Sequence, residues 1–174
     1  YRAGGKWPGR GRSVTGGGSP FYAVYETKDG KYISVGSAEA RFYAELLRQT
    51  DLDQAGLPDR DDLANWPMIR ERLAAVFRTR TRDEWCAQLE TSETCFAPVL
   101  DMQEAAAHPH NVARGTFIEV DGMLQPAPAP RFSRTPAAMP TAGVEPGVDV
   151  AAALAGWGLE AAEIQALAAA GTVS

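Results

Sequence analysis

Runs of apolar and aromatic residues, each closed by glycine or proline, mark out short elements along the chain. Pro20-Phe21-Tyr22-Ala23-Val24-Tyr25 is aromatic and β-branched, and Tyr32-Ile33-Ser34-Val35 is a second run of that kind, so both read as strands. Between them Lys28-Asp29-Gly30-Lys31 supplies the Asp-Gly pair of a tight hairpin, whose type I′ turn needs positive φ at both central residues. The second run passes into Gly36-Ser37-Ala38. Ser37 then reads as the N-cap of a helix over about residues 39–50, in which Phe42, Leu46 and Leu47 recur on one face. That places Glu39 in the first helical turn, where the helix dipole favours a carboxylate. A strand end beside a glycine is also a common place for a group aimed into a cleft.

Residues 51–66 are rich in Asp, Gly and Pro and read as a loop. Pro67 suits the first turn of a helix, with Asn65 near the cap and Ile69, Leu73, Val76 and Phe77 as the apolar stripe. Thr81 and Glu84 match a capping box opening a helix through Trp85 and Leu89. Arg70, Arg72, Arg78, Arg80 and Arg82 are interleaved with Glu71, Asp83 and Glu84, which describes a solvated helix face rather than a basic patch. Phe96-Ala97-Pro98-Val99-Leu100 is short and apolar, bounded by Cys95 and Asp101. Residues 115–120, Asp121-Gly122 and residues 123–125 form the second hairpin signal. The proline-rich run QPAPAPRFSRTPAAMP reads as extended chain. Two helices follow over residues 148–154 and 160–170, the last with Ile164 and Leu167 as its stripe and Gly171 as its C-cap.

Composition narrows the function classes. With 45% hydrophobic and 22% charged residues over 174 positions, the chain has the make-up of a soluble globular domain. A formal net charge of -5 argues against non-specific nucleic-acid binding, which needs a basic field. No window approaches the roughly 18 uninterrupted apolar residues of a membrane span. Cys86 and Cys95 have no metal or redox spacing and, with no signal peptide visible, read as reduced thiols of a cytoplasmic protein. His108-Pro109-His110 brings two imidazoles together without a third ligand nearby. It is read as a helix end and turn, with no metal site. Gly16-Gly17-Gly18 permits close backbone approach to a ligand but lacks the strand-before, helix-after setting of a nucleotide loop. Residues 1–15 read as a linker. The start at Tyr1 rather than a methionine suggests a piece of something larger.

The run GGGSPFYAVYETKDGKYISVGSAEARFYAELL resembles the start of the small domain of the class III CoA-transferase superfamily (CaiB/BaiF type), and most of all its α-methylacyl-CoA racemases. There a Gly-Gly-Ala-Pro-Phe-Tyr run precedes an Asp-Gly-(Lys/Arg)-Tyr hairpin and a Gly-Ala-(Ile/Leu)-Glu-Pro helix start. The resemblance continues through RERLAAVFRTRTRDEW, CFAPVLDMQEAAAHPHNVARGTFIEV, QPAPAPRFSRTP and GWGLEAAEIQALAAAGTVS. Two departures stand out: Gly16 where the racemases carry Asp, and Ala40 where they carry Pro.

The resemblance implies that Gly36-Ser37-Ala38-Glu39 is the racemase motif whose glutamate pairs with a His of the large domain. Glu39 is therefore the candidate catalytic residue. Tyr22 and Ala38 are implied as walls of the acyl pocket, and Gly17 and Gly18 as the loop that closes over it. Lys6, Arg10 and Arg12 are a further candidate set for CoA phosphates. The implied substrate is an acyl-CoA thioester, with no separate cofactor. The implied partners are an N-terminal large domain missing here, and a second subunit in an interlocked homodimer. By itself the segment is then expected to be inactive. Two other readings stand beside it. One is a family III CoA-transferase, whose members usually carry a longer Gly-Gly-Gly-Gly-Gln loop and lack this glutamate; Ser19-Pro20 and Glu39 point away from it. The other is a free-standing interaction domain. The expected fold is α+β: a small antiparallel sheet of the two hairpins with packed helices, an extended N-terminal arm and a C-terminal tail. Residues 1–15 form the arm, 16–126 the small domain, and 127–174 the connection and helices returning to the large domain.

Overall fold

Tyr22–Glu26 (β1) and Tyr32–Gly36 (β2) pair antiparallel, from Tyr22 opposite Gly36 to Glu26 opposite Tyr32. The computed structural model describes residues 9, 11–143 and 147–173; most of the expected arm, with Lys6 and Arg10, and three residues of the loop after the proline-rich run lie outside the described residues. The β1–β2 turn differs from the type I′ turn expected. Of Asp29 and Gly30 only Gly30 has positive φ, at 72°. The Thr27 N–H donates to the Lys31 carbonyl (2.8 Å) and the Gly30 N–H to the Thr27 carbonyl (3.0 Å), which makes a wider loop. Asp29 is committed elsewhere, accepting from the Thr27 hydroxyl at 2.6 Å and from the Arg82 N–H at 3.1 Å. The second hairpin does form the expected turn: Asp121 (φ 51°) and Gly122 (φ 75°) join Phe117–Val120 (β4) to Met123–Pro126 (β5).

The class is α+β, but the two hairpins do not share a sheet. β2 pairs instead with Phe96–Val99 (β3), giving the order β1-β2-β3, while β4 and β5 form a sheet of two. Pro98 sits opposite Ile33 on the edge strand β3, where its missing N–H costs no ladder bond.

Four helices accompany the three-stranded sheet: Ala40–Gln49 (α1), Trp66–Phe77 (α2), Arg82–Leu89 (α3) and Met102–Ala107 (α4). Alternation along β1 and β2 sends Tyr25, Ile33 and Val35 to one face, where they are buried with Tyr43 and Leu46 of α1, Ile69, Leu73 and Phe77 of α2, and Trp85 and Leu89 of α3. On α1 the buried positions are Tyr43 and Leu46, with Phe42 only half-buried. The Phe77 ring lies 5.1 Å from Tyr25 and 5.2 Å from Trp85, and the Trp85 indole donates to the Phe77 carbonyl at 2.9 Å. The capping box at Thr81 and Glu84 is present.

Arg82, expected on a solvated face, is buried. It donates to both Glu104 carboxylate oxygens (2.7 Å each) and to the Val99 carbonyl (2.9 Å). Lys31 adds a third bond to Glu104 at 2.8 Å. Together these tie α3 and the turn before β2 to one carboxylate on α4. First Arg82 and then Lys31 hold that carboxyl well below the ordinary glutamate range.

The chain divides into two compact units within α4, one up to Ala105 and the other from Ala106. The second contains Pro109–Ala113 (α5), the β4–β5 hairpin, the extended proline-rich run, Val150–Gly156 (α6) and Ala161–Ala169 (α7). His108 precedes α5 directly, so Pro109 opens a helix where a turn was expected. Every buried residue among those described lies at or before Thr94. No helix among them is long and apolar enough to cross a membrane.

Two outcomes are expected. Phe77→Ala removes the ring joining sheet and α3 and should lower the unfolding free energy by about 3–5 kcal/mol in a denaturant titration. Glu104 is depressed in the fold, so its contribution is complete above its ordinary pKa of 4.5 and is lost as pH falls from there through the folded value. The thermal midpoint should therefore drop on acidification, and Glu104→Gln should lower the midpoint at neutral pH while flattening that acid limb.

Candidate active site

The end of β2 turns sharply into α1, and three bonds hold the corner. The Gly36 N–H donates to the Cys95 carbonyl (2.9 Å) and the Ala38 N–H to the Gly36 carbonyl (2.8 Å). The Ser37 hydroxyl, expected to cap the helix, is buried and donates to the Thr94 carbonyl at 2.7 Å. With Ser37 engaged there, α1 begins later. Glu39 is the N-cap residue itself, with extended backbone (φ -73°, ψ 147°) and no side-chain cap bond. It therefore precedes the first turn rather than lying within it. Its carboxylate is exposed and has no hydrogen-bond or ion-pair partner among the described residues.

Cys95, whose carbonyl accepts from Gly36, belongs to the same corner. Burial, and after it the Glu39 charge, pushes the Cys95 thiol up. Tyr22 sits opposite Gly36 on the open face of the sheet, 39% exposed. Its ring passes 3.7 Å from where a Cβ on Gly36 would stand, so the ring lies within ordinary contact distance of the strand end. Tyr22, Gly36, Ala38, Glu39 and Cys95 thus meet at one end of the sheet.

Gly17 and Gly18 lie in a single wide turn, Val14–Gly18, which the Gly18 N–H closes onto the Ser13 carbonyl at 3.1 Å. Gly17 has φ 82° and Gly18 packs against Arg12, whose backbone carbon would be 2.6 Å from an added Cβ. Both positions require glycine. Arg70 of α2 holds the turn from below: its Nη2 donates to the carbonyls of Gly17 (3.0 Å), Gly18 (3.0 Å) and Ser19 (3.2 Å). Arg70 meets no carboxylate among the described residues. A shallow open cavity of about 350 Å³ lies here, lined by Thr15, Gly17, Tyr22, Ala23, Val24, Ser34, Val35 and Arg70.

The predicted residues therefore fall in two adjoining groups. Gly17 and Tyr22 line the cavity, while Gly18, in the same turn as Gly17, does not. Ala38 and Glu39 stand at the sheet end that Tyr22 also reaches. Arg70 had been read as part of a solvated face. Its acceptors lie 51 to 53 positions away, and no local periodicity signals such a bond. Among the described residues no three His, Cys, Asp or Glu converge as a metal-holding group. The corner offers one free carboxylate beside a concave surface with a single guanidinium. That suits support of acid–base chemistry more than a complete acid–base pair.

Alkylation should report the influence of the Glu39 charge on the Cys95 thiol. Glu39→Gln removes the charge that holds the thiol up, so iodoacetamide should label Cys95 faster in that variant at pH 8, read by mass spectrometry. Cys86, half-buried and pushed up to about 11 chiefly by burial, should label more slowly than Cys95 in both.

Residues 1–149 match the CoA-transferase family III profile. The chain is 42% identical over 141 residues to α-methylacyl-CoA racemase of Mus musculus, covering 80% of this chain and 36% of that protein. It is 37% identical over 129 residues to the same enzyme of Homo sapiens, covering 74% and 34%. It thus spans about a third of the length of the curated relatives it matches (36% and 34%). The crystal structure of a CaiB/BaiF family protein from Brucella suis shares the fold, with a TM-score of 0.64 at 20% identity over 90% of this chain and 42% of that one. By the match over residues 1–149 the chain belongs to CoA-transferase family III.

Proposed function

We propose that the chain is the small-domain part of an α-methylacyl-CoA racemase, interconverting the two configurations at the α-carbon of a 2-methylacyl-CoA. The observation that carries this reading is the Glu39 carboxylate, without a partner among the described residues, at the Gly36-Ser37-Ala38-Glu39 corner, in a chain 42% and 37% identical to two such racemases. A thioester carbonyl acidifies its own α-C–H, so the reaction needs no separate cofactor. It needs a base on one face, a proton donor on the other, and stabilisation of the enolate between them.

In this reading Glu39 orients and polarises a histidine supplied by the rest of the protein, an N-terminal large domain. Tyr22 and Ala38 wall the acyl group, and the Gly17-Gly18 turn brings bare backbone against the thioester. The whole enzyme works in the cytoplasm as an interlocked homodimer. Exposed apolar side chains such as Met102 (83%) and Trp157 (88%) are then covered by the remainder of the assembly.

A second reading has one observation in its favour. A relative 31% identical over 105 residues is named an acyl-CoA transferase, which would make the site one of CoA exchange between carboxylic acids. The deciding experiment incubates a 2-methylacyl-CoA in deuterated water with the full-length protein and with this chain alone. The full-length protein should exchange the α-proton and this chain alone should not. Glu39→Gln should slow exchange on the order of a hundredfold. Transfer of CoA to an added carboxylic acid, without α-exchange, would replace racemase by transferase.

A further inference from the structure

The loop between α1 and α2 contributes one side chain to the Glu39 corner. Arg60 Nη2 donates to the Ala38 carbonyl at 2.8 Å, and that carbonyl belongs to the peptide unit leading directly into Glu39. The guanidinium carbon lies 4.6 Å from the Phe21 ring centre and 4.8 Å from that of Tyr43, and these two rings pack edge-on at 5.4 Å. The Arg60 side chain is only 19% exposed, and its nearest carboxylate, Asp61, stands 3.6 Å from Nε and is itself 82% exposed. The Arg60 backbone is fixed too, its carbonyl accepting from the Trp66 indole at 2.8 Å.

This is an expensive way to make one hydrogen bond. Enclosing a guanidinium with a single well-formed acceptor and a weak, solvated counter-ion costs desolvation that a neutral side chain would avoid. Nη1 is buried without a partner, as is the Tyr43 hydroxyl. The two aromatic faces offset part of that cost. The planar fork wedged between rings has little freedom to turn, so the donor pointing at Ala38 is rigid. The corner is thereby held from two sides: Ser37 is tied to Thr94 by its hydroxyl, and Ala38 to Arg60 by its carbonyl.

We propose that Arg60 is a positioning residue for Glu39. It fixes the Ala38–Glu39 peptide, and through it the direction in which the Glu39 carboxylate leaves the corner. For the reaction itself this rests on the racemase reading; for the geometry it does not.

The test uses the full-length protein with Arg60→Met, which keeps an apolar stem between the rings but has no donor, and Arg60→Lys, which keeps charge and one donor. Two readouts are taken. The first is α-proton exchange of a 2-methylacyl-CoA. Arg60→Met should lower kcat on the order of tenfold to a hundredfold, the cost of a misplaced catalytic group, with KM unchanged within about twofold. Arg60→Lys should recover part of the loss. Adding Arg60→Met to Glu39→Gln should cost nothing further. The second is amide hydrogen exchange at Tyr43, whose N–H donates to the Glu39 carbonyl at 3.0 Å. It should accelerate in Arg60→Met while the Trp85 amide, bonded to Thr81 in α3, is unchanged.

Losses that multiply with Glu39→Gln, or an unaltered Tyr43 amide, would overturn the proposal. A full-length protein that catalyses no α-exchange would remove the racemase reading alone, and the Tyr43 amide would still decide for or against Arg60. Should the Trp85 amide show that Arg60→Met has unfolded, the same readouts on Arg60→Lys decide.

Discussion

The seam between β2 and β3 is the contact on which the rest of the first unit depends. Ser37 and Thr94, joined by a fully buried hydroxyl-to-carbonyl bond, are 57 positions apart, and every residue of α1, α2 and α3 lies between them. Closing the seam therefore requires those helices to be packed beneath the sheet, with the entropy of the intervening loop offset by the burial of Leu46, Ile69, Leu73, Phe77 and Trp85. Once closed, the seam cannot be opened at one point cheaply. Losing the Ser37 bond would leave a buried polar group unpaired, at about 1–3 kcal/mol. The seam also ends where the candidate chemistry begins, since Gly36, Ser37, Thr94 and Cys95 together form the wall from which Glu39 projects.

Arginine holds the surroundings of that wall, and burial decides what each arginine does. Arg48 with Glu45, and Arg78 with Glu26, are exposed pairs whose attraction is largely spent on side-chain entropy and solvent screening. Arg82 is 8% exposed and meets Glu104 in a two-point contact, so it ties three elements together. Among the described residues Arg70 and Arg60 have no comparable carboxylate and donate to backbone carbonyls instead, one at the glycine turn and one at the Ala38 peptide. Each therefore holds main chain on one side of the Tyr22 ring. The glycine turn and the Glu39 corner are thus held by α2 and by the loop before it as well as by the strands they border.

Family membership and site chemistry rest on different supports. The first follows from residues spread over most of the chain. The second is concentrated in a few positions at one corner: Glu39 has no partner within the described residues, and the Tyr22 ring lies within contact distance of the Gly36 backbone.

The sequence by itself determined the features with local causes. The capping box at Thr81 and Glu84, the proline near the start of α2, the Asp121-Gly122 turn, and the strands at residues 22–26 and 32–36 each follow from residues within a few positions of one another. The Gly36-Ser37-Ala38-Glu39 run also marked the candidate corner before its geometry was known. Tertiary structure decided whatever depends on partners far along the chain. Ser37 caps no helix because Thr94 takes its hydroxyl, and that moves Glu39 from the first turn to the N-cap position. Asp29 takes no part in a type I′ turn because Thr27 and Arg82 occupy its carboxylate. β3 joined the first hairpin, Arg70 and Arg82 left the solvated face that their neighbours suggested, and Arg60 stayed in its loop but took a half-buried place there. Periodicity reports which way a side chain points relative to its own element. It carries no information about which distant carbonyl or carboxylate will be there to meet it.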